Sequence, residues 1–542
     1  MPSKTRRRAL AAAIGASTLL AFTGTGTSAV AGPAAGPGTS AGTTPAVKYI
    51  IANPAFTPLS VNGVPARALY GTYRGAGYEI EVPAHWNHQL VLYAHGYAGT
   101  GNVLTVDQPF TPLRQHWLDR GYAWAASSYD ANGYNVPSGV RGTHDLIGLF
   151  RGRVGRPTQT FMTGLSMGGQ ISGVEIETYP EAFNGALTWC GVMGDNQLFN
   201  YYYNYAQGAA ALTGTPGQFP PPFPDPKSDP YVTTVQTKIL PKLGTMPNRV
   251  GFPTVLNPKG RQFESLAEQL TGGARPGFSG AFQKFWNGFG FPPLTQIPFV
   301  FGLFGSSLGG TQGIAPGNTN SNVGTHYSLA KDPTVALTSR QRDAGADTVN
   351  DKIQRVAASP AWLEQLEPDH GLKASIPTVG GNLPVPLLTI HGTGDMFVPL
   401  SMEQVLYQRA KAAGRTNLLV QRAVREVGHC SYSGTELANG FDAMTRWVKT
   451  GDKPAGDNIM APLTKGYDPN FGCRFTQPDS SDKHPVFAAT NPGLAPCAAR
   501  DRDGAGDDSG NGDHGGNGDG TGGGGNLGPG QHGGNQHAPG RR

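Results

Sequence analysis

The pentapeptide Gly-Leu-Ser-Met-Gly at 164–168 constrains the fold of this chain more than any other feature. Residues 158–163 before it are β-branched and apolar and predict a buried strand. Residues 169–178 after it predict a helix that ends before Pro180. A strand, a G-x-S-x-G turn and a helix expose a serine above a sheet, where the helix N-terminus favours negative charge. We therefore predict that Ser166 is a nucleophile.

A candidate acid and a candidate base follow Ser166 along the chain. Residues 384–390 predict a buried strand, and Asp395 lies in the Gly-containing loop behind it. A second strand-like stretch begins at Leu418 and is expected to extend to the loop that holds His429. Histidine accepts the proton of a nucleophilic serine, and aspartate orients that histidine. We therefore predict Asp395 as the acid and His429 as the base.

Both assignments have competitors. Asp195 also follows a predicted strand and is an alternative acid. Asp395 is favoured because it follows the next predicted strand, ahead of the histidine, which is the usual arrangement. His95 and His391 lie at the ends of predicted strands, where histidines more often shape loops. His429 is therefore favoured as the base.

The chain order serine, aspartate, histidine differs from that of chymotrypsin and subtilisin. Together with the turn at Ser166, it resembles the α/β-hydrolase superfamily of serine esterases and peptidases, over residues 65–200 and 380–450. The resemblance implies an oxyanion hole made of backbone N–H groups, which we assign to Met167 and to Tyr97. It implies no metal and no organic cofactor.

Predicted strands alternate with predicted helices on both sides of the serine turn. Such alternation is typical of an α/β fold, with a mostly parallel sheet, helices on both faces and a ligand site at the carboxyl ends of the strands. Residues 70–82 alternate in polarity and predict antiparallel strands at one edge. The strand–helix alternation fails over residues 196–381, which are too long for a loop and predict a large inserted cap.

The predicted cap contains helical and aromatic regions. Residues 346–358 predict a helix with Val349, Ile353 and Val356 on one face. A second region is rich in aromatic side chains, namely Phe282, Phe285, Trp286, Phe289, Phe291, Phe299, Phe301 and Phe304. These rings indicate either a lid with an apolar pocket for an acyl or aromatic group, or simply the cap's own core.

The N-terminus predicts export. Lys4 and Arg6 to Arg8 precede an apolar run that is too short to span a bilayer, and residues 29–31 form an Ala-Val-Ala cleavage site. We predict a signal peptide at 1–31, exported by the twin-arginine or the general route, and a secreted protein without a membrane anchor. This segment carries four basic and no acidic side chains of a chain whose formal net charge is +5, so charge does not indicate a nucleic-acid partner.

Composition sets the remaining boundaries. We predict a linker at 32–46, a first core part at 47–195, the cap at 196–381, a second core part at 382–455, an extension at 456–500 and a disordered Gly/Asp-rich tail at 501–542. The Gly-Asn-Gly-Asp repeats of the tail lack the apolar residue of calcium-binding nonapeptides, so we predict no calcium site there.

Four cysteines suit an oxidising compartment and two disulfides, and their spacings do not form a zinc site. Three pairings are possible. Cys190 ends a predicted strand and Cys430 follows the candidate base, so both should lie at the carboxyl edge of the sheet. Because Cys473 and Cys497 share the extension, we favour the pairing 190–430 with 473–497. A cysteine after the histidine is similar to the tannase and feruloyl-esterase family, whose partner cysteine precedes the serine, whereas Leu165 stands there in this chain.

These residues predict a secreted serine hydrolase that cleaves small or polymeric carboxylic esters through an acyl-enzyme intermediate. Two alternatives stay open. A serine peptidase similar to the prolyl oligopeptidase group shares the turn and the chain order, although the repeated blades of a propeller domain are not recognisable in this sequence. A non-catalytic binding protein on a hydrolase scaffold would need none of the three catalytic residue types, yet all three are present.

Overall fold

The computed structural model describes residues 47–218, 229–245, 255–286, 297–303, 317–366 and 371–477, together with Cys497. The predicted signal peptide, linker and Gly/Asp-rich tail lie outside these residues, as do three of the eight aromatic residues named above for the predicted cap, Phe289, Phe291 and Phe304. Within the described part of the chain, no helix combines the length and the apolarity that crossing a membrane requires.

An eight-stranded sheet forms the centre of the fold. Its strands are β1 (Arg67–Tyr73), β2 (Ala76–Val82), β3 (Gln89–Ala94), β4 (Ala123–Ser127), β5 (Gln159–Leu165), β6 (Gly185–Trp189), β7 (Leu387–Gly392) and β8 (Leu419–Val424). Their spatial order is β8-β7-β6-β5-β3-β4-β2-β1. Strands β3 to β8 are parallel, whereas β2 is antiparallel to both of its neighbours. The predicted mostly parallel sheet with antiparallel strands at one edge is confirmed.

Helices connect and cover the strands. They are α1 (Thr111–Asp119), α2 (Val136–Arg153), α3 (Met167–Thr178), α4 (Gln197–Leu212), α5 (Asp229–Thr234), α6 (Leu240–Leu243), α7 (Pro258–Leu270), α8 (Phe278–Trp286), α9 (Ser339–Lys352), α10 (Pro360–Gln365), α11 (Ser401–Ala412), α12 (Gly434–Thr450) and α13 (Ala461–Thr464). Two-residue strands pair outside the central sheet, Ile50–Ile51 with Val103–Leu104, Ser60–Val61 with Val64–Pro65, and Gly244–Thr245 with Val255–Leu256.

Strand β3 shows why helices cover both faces of the sheet. Leu90 and Leu92 belong to a core that includes residues of α2 and α3. Val91 and Tyr93 belong to a second core, with residues of α1 and α12. Successive side chains of a strand point to opposite faces, so an uninterrupted apolar strand needs a helical layer on each side. The predicted cover of helices on both faces is confirmed.

Between β6 and β7 the chain leaves the sheet, and the described residues of this insertion are mostly helical, from α4 to α10. The rings of Phe282, Trp286 and Phe301 are buried and surround Phe263. These rings form the insertion's own core, which was one of the two interpretations of the aromatic region. Phe299 differs from them, because it is only half-buried and reaches toward the carboxyl edge of the sheet.

The helix expected at residues 346–358 was placed wrongly. Helix α9 begins earlier because Thr338 and Gln341 form a capping box at its N-terminus. It also ends earlier, since Asn322 exchanges backbone and side-chain hydrogen bonds with the backbone of Val356 and holds that residue outside the helix. Val356 is nevertheless buried. The apolar spacing therefore predicted the burial of this residue correctly, but not that it lies outside the helix.

Candidate active site

Ser166 occupies the tight turn between β5 and α3. Its backbone torsion angles, φ 55° and ψ −124°, are strained for a residue other than glycine. The flanking glycines are required by close approach of the backbone. A side chain on Gly164 would overlap the carbonyl oxygen of Gly168, and one on Gly168 would overlap that of Ala94. The turn therefore has the geometry that exposes a serine at the carboxyl edge of a sheet.

His429 lies directly beside Ser166, and Asp395 lies behind His429. The Oγ atom of Ser166 is 3.0 Å from Nε2 of His429. On the other side of the imidazole ring, Nδ1 is 2.6 Å from Oδ2 of Asp395. The carboxylate is fully buried, whereas the imidazole keeps 12% of its surface exposed. The structure thus brings the three predicted residues into one continuous chain of hydrogen bonds.

The loops after β7 and β8 position the acid and the base. Asp395 comes three residues after β7 ends at Gly392. Strand β8 ends at Val424 and does not reach the histidine loop, which corrects the longer strand expected from the sequence. The extended strand ends there because the backbone N–H of Glu426 bonds back to the carbonyl oxygen of Val424 at 2.9 Å.

The competing acid, Asp195, binds other residues than His429. Its carboxylate pairs with the guanidinium of Arg409 and accepts backbone N–H bonds from Val379 at 3.1 Å and Asn196 at 2.7 Å. Burial raises the pKa of this carboxyl, and the charge of Arg409 counteracts that rise. The structure therefore places Asp395, and not Asp195, against the imidazole.

The two other candidate histidines are held in structural roles. His95 is buried, and its Nδ1 lies 2.7 Å from the carbonyl oxygen of Gly96. His391 is buried within β7 and contacts the carbonyl oxygen of Val398 and the carboxylate of Glu403. Both histidines shape loops at the edge of the sheet, as the sequence analysis expected of them.

The two residues assigned to the oxyanion hole follow Ser166 and Gly96 in the chain. Met167 is the first residue of α3, so its N–H belongs to the unpaired helix N-terminus. The preceding strand leads to Gly96, at which a Cβ atom would lie 3.2 Å from Cβ of Ser166. Tyr97 follows in this loop with 40% of its surface exposed. The role of both N–H groups stays a prediction.

Strand order and residue positions together decide the fold. The serine follows β5, the aspartate follows β7 and the histidine follows β8, in a sheet whose second strand is antiparallel to its neighbours. The chain has the α/β-hydrolase fold. This confirms the resemblance that the sequence motifs indicated, and it places the three residues where the fold holds its ligand site.

The chain is distantly similar to solved structures. No protein-family model matches it, and no curated protein matches it in sequence. Feruloyl esterase B from Aspergillus oryzae is 15% identical, with 71% of this chain and 81% of that chain covered and a TM-score of 0.37. Proline iminopeptidase from Mycobacterium smegmatis is 9% identical, with 71% and 100% covered and a TM-score of 0.33. At such values the assignment of the hydrolase fold rests on the chain's own topology.

Two disulfides are present, Cys190–Cys430 and Cys473–Cys497, each with Cα atoms 5.3 Å apart. This is the pairing that we favoured. The first disulfide joins the residue after β6 to the residue after His429, and Sγ of Cys430 lies 3.4 Å from Nε2 of the imidazole. It therefore fastens the histidine loop of the hydrolase fold to the central sheet.

The same atoms form the one compact group of potential metal ligands in the described residues, Cys190, His429 and Cys430. The two sulfur atoms are bonded to each other, so neither is the thiolate that binds a metal ion. The group is better described as a disulfide packed against the base.

An aromatic wall lies beside the base, formed by Phe299, which the sequence analysis named in the aromatic region of the cap, and by Phe397, which it missed. The ring of Phe397 lies 4.8 Å from that of His429, and the ring of Phe299 lies 5.3 Å from that of Phe397. Both phenylalanines are only half-buried. Phe397 follows Asp395 by two residues, so an apolar residue in the acid-bearing loop was the available signal. Phe299 contacts Phe397 from the insertion, and it belongs to the aromatic region for which a lid was one of the two interpretations.

Proposed function

We propose that the chain is a serine hydrolase that cleaves carboxylic esters. The observation that carries this proposal is the hydrogen-bond chain from Ser166 Oγ through His429 to Asp395, at 3.0 and 2.6 Å. A serine hydroxyl is a weak nucleophile until an adjacent base takes its proton, and an acid must orient that base. The strained turn at the serine is further support, because such strain is concentrated at functional sites.

The proposed reaction has two halves. Ser166 Oγ attacks the acyl carbon while His429 Nε2 takes the hydroxyl proton and then gives it to the leaving alcohol. Asp395 keeps the proton of the ring on Nδ1 and stabilises the imidazolium that forms. The N–H groups of Met167 and Tyr97 are proposed to bind the oxyanion. Water then attacks the acyl-enzyme by the same route, which releases the acid and restores the serine.

The proposed substrate is a small or polymeric ester with an apolar or aromatic group near the scissile bond. Phe397 and Phe299 support this, because their half-buried rings offer an apolar wall next to the base. We also propose that the protein acts outside the cell. The two disulfides and the basic-then-apolar N-terminus support export.

Ester and amide substrates with the same acyl group test the proposal. We expect saturable hydrolysis of p-nitrophenyl esters of graded acyl length and much slower hydrolysis of the matched p-nitroanilides. Amide turnover that equals ester turnover would favour a peptidase. Hydrolysis of neither series, over the whole range of acyl lengths, would favour a binding protein on this scaffold.

Replacing each candidate acid by asparagine tests whether Asp395 or Asp195 orients the histidine. Asp395→Asn should lower kcat by about 10⁴-fold, because an amide at this position favours the wrong imidazole tautomer. Asp195→Asn should leave kcat unchanged and lower the melting temperature, because it weakens the buried pair with Arg409. Steady-state kinetics and calorimetry on both variants measure this. The opposite result, with kcat lost only in Asp195→Asn, would transfer the acid role to Asp195.

A further inference from the structure

The loop that carries the acid is held from the insertion by hydrogen bonds to its backbone. This acid loop comprises residues 393–398, directly after β7. Three side chains of the insertion donate to its carbonyl oxygens. They are Tyr201 and Tyr202 of α4, and Arg275 from the segment between α7 and α8. All three side chains are buried.

Tyr201 and Asp395 bind opposite ends of one peptide unit. The hydroxyl of Tyr201 donates to the carbonyl oxygen of Met396 at 3.0 Å. The N–H of that same peptide unit, on Phe397, donates to Oδ1 of Asp395 at 2.8 Å. The tyrosine therefore fixes the orientation of a dipole that in turn holds the carboxylate.

Tyr202 repeats the arrangement one residue further along. Its hydroxyl donates to the carbonyl oxygen of Phe397 at 2.8 Å. The N–H of this next peptide unit, on Val398, donates to Oδ1 of Asp395 at 3.0 Å. Both N–H groups that bind Oδ1 thus belong to peptide units that adjacent tyrosines hold from the other side. The remaining oxygen, Oδ2, is left for the imidazole.

Arg275 holds the beginning of the acid loop. Its Nε donates to the carbonyl oxygen of Thr393 at 2.5 Å, and the N–H of that peptide unit, on Gly394, donates to the carbonyl oxygen of Glu426 at 2.7 Å. Glu426 lies in the histidine loop, so this peptide unit bridges the loops of the acid and the base. Burial lowers the pKa of Arg275 to about 10, which leaves the guanidinium charged near neutral pH.

We propose that Tyr201, Tyr202 and Arg275 are positioning residues that hold Asp395 in register with His429, so that the insertion is part of the catalytic apparatus as well as a cover. The proposal rests on the proposed serine-hydrolase function. In a buried site each donor polarises the peptide unit that it binds. This strengthens the hydrogen bond that the N–H group of the same peptide unit donates on the far side. Loss of the donors loosens the carboxylate without removing any group that contacts substrate, so kcat falls and KM does not change.

The double variant Tyr201→Phe with Tyr202→Phe tests this, because it removes two hydroxyls and keeps both rings. We expect kcat for a p-nitrophenyl ester to fall about 10- to 100-fold with KM unchanged, since small misplacements of a catalytic group cost that much. We also expect the low-field proton NMR signal of the Nδ1–H of His429 to shift or broaden. The two single variants should each show part of the effect.

Tyr203→Phe is the matched control. It removes a buried tyrosine hydroxyl of the same helix, α4, that donates at 2.7 Å to the carbonyl oxygen of Gln354, within the insertion and away from the acid loop. It should lower the melting temperature about as much as Tyr201→Phe while leaving kcat and the NMR signal unchanged. If the folded double variant keeps the kcat of the control while Ser166→Ala is inactive, the positioning role is wrong and the hydrolase function stands. If Ser166→Ala stays active, the serine-hydrolase proposal itself fails.

Discussion

Replacing Ser166 by alanine should lower ester turnover by about 10³-fold or more, and His429→Ala should have an effect of similar size. The two side chains act as one unit, since Oγ loses its proton only to Nε2, which lies 3.0 Å away. The double variant should therefore be hardly worse than either single variant, because removing one partner already disables the other. Steady-state kinetics on the three proteins measures this.

The stability of these variants serves as the control. Because each substitution only shortens a side chain at the edge of the site, we expect the melting temperatures to stay near that of the unaltered protein. An active, folded Ser166→Ala protein would contradict the serine-hydrolase proposal. Strictly additive losses in the double variant would show that Ser166 and His429 contribute independently.

Removing the Cys190–Cys430 disulfide should lower both thermal stability and turnover. The cysteines are 240 residues apart in sequence, so the bond closes a loop that contains the whole insertion. In the chain-entropy treatment, such a loop is worth about 5–6 kcal/mol of folding free energy, and measured values are often lower. Turnover should fall because the bond also fastens the loop of His429 to the end of β6. Calorimetry and kinetics on Cys190→Ser with Cys430→Ser measure both effects.

The second disulfide supplies the matched control. Cys473 and Cys497 are 24 residues apart, so their bond closes a far shorter loop and adjoins none of the three triad residues. Cys473→Ser with Cys497→Ser should cost less stability and leave turnover nearly unchanged. Equal losses of turnover in the two double variants would contradict a specific role of the Cys190–Cys430 bond.

The elements that could be predicted from the sequence are those whose signals lie within a few neighbouring residues. The turn at Ser166 is readable because two glycines with no room for a side chain flank the serine. The buried strands are readable because runs such as residues 90–94 are apolar without interruption. The boundaries of α9 were predicted poorly, because its C-terminal end depends on Asn322, which lies outside the helix.

The supporting contacts of the site could not be predicted, because they join distant parts of the chain. The sequence favoured Asp395 over Asp195 by its position ahead of the histidine, but it gave no sign that Asp195 pairs with Arg409, 214 residues away. Tyr201 and Tyr202 look like ordinary core residues of an apolar helix. Their hydroxyls donate hydrogen bonds to the acid loop, 195 residues away in the chain. The spacing of residues within α4 does not predict these contacts.

The central claim is that Ser166 is a nucleophile activated by His429, and site mapping of a fluorophosphonate adduct tests it most directly. The reagent phosphonylates only an activated serine, and peptide mass spectrometry then identifies the modified residue. We predict one adduct, on the peptide that contains Ser166, and little labelling in the His429→Ala protein under the same conditions. No adduct on the folded protein, or an adduct on a different serine, would contradict the account.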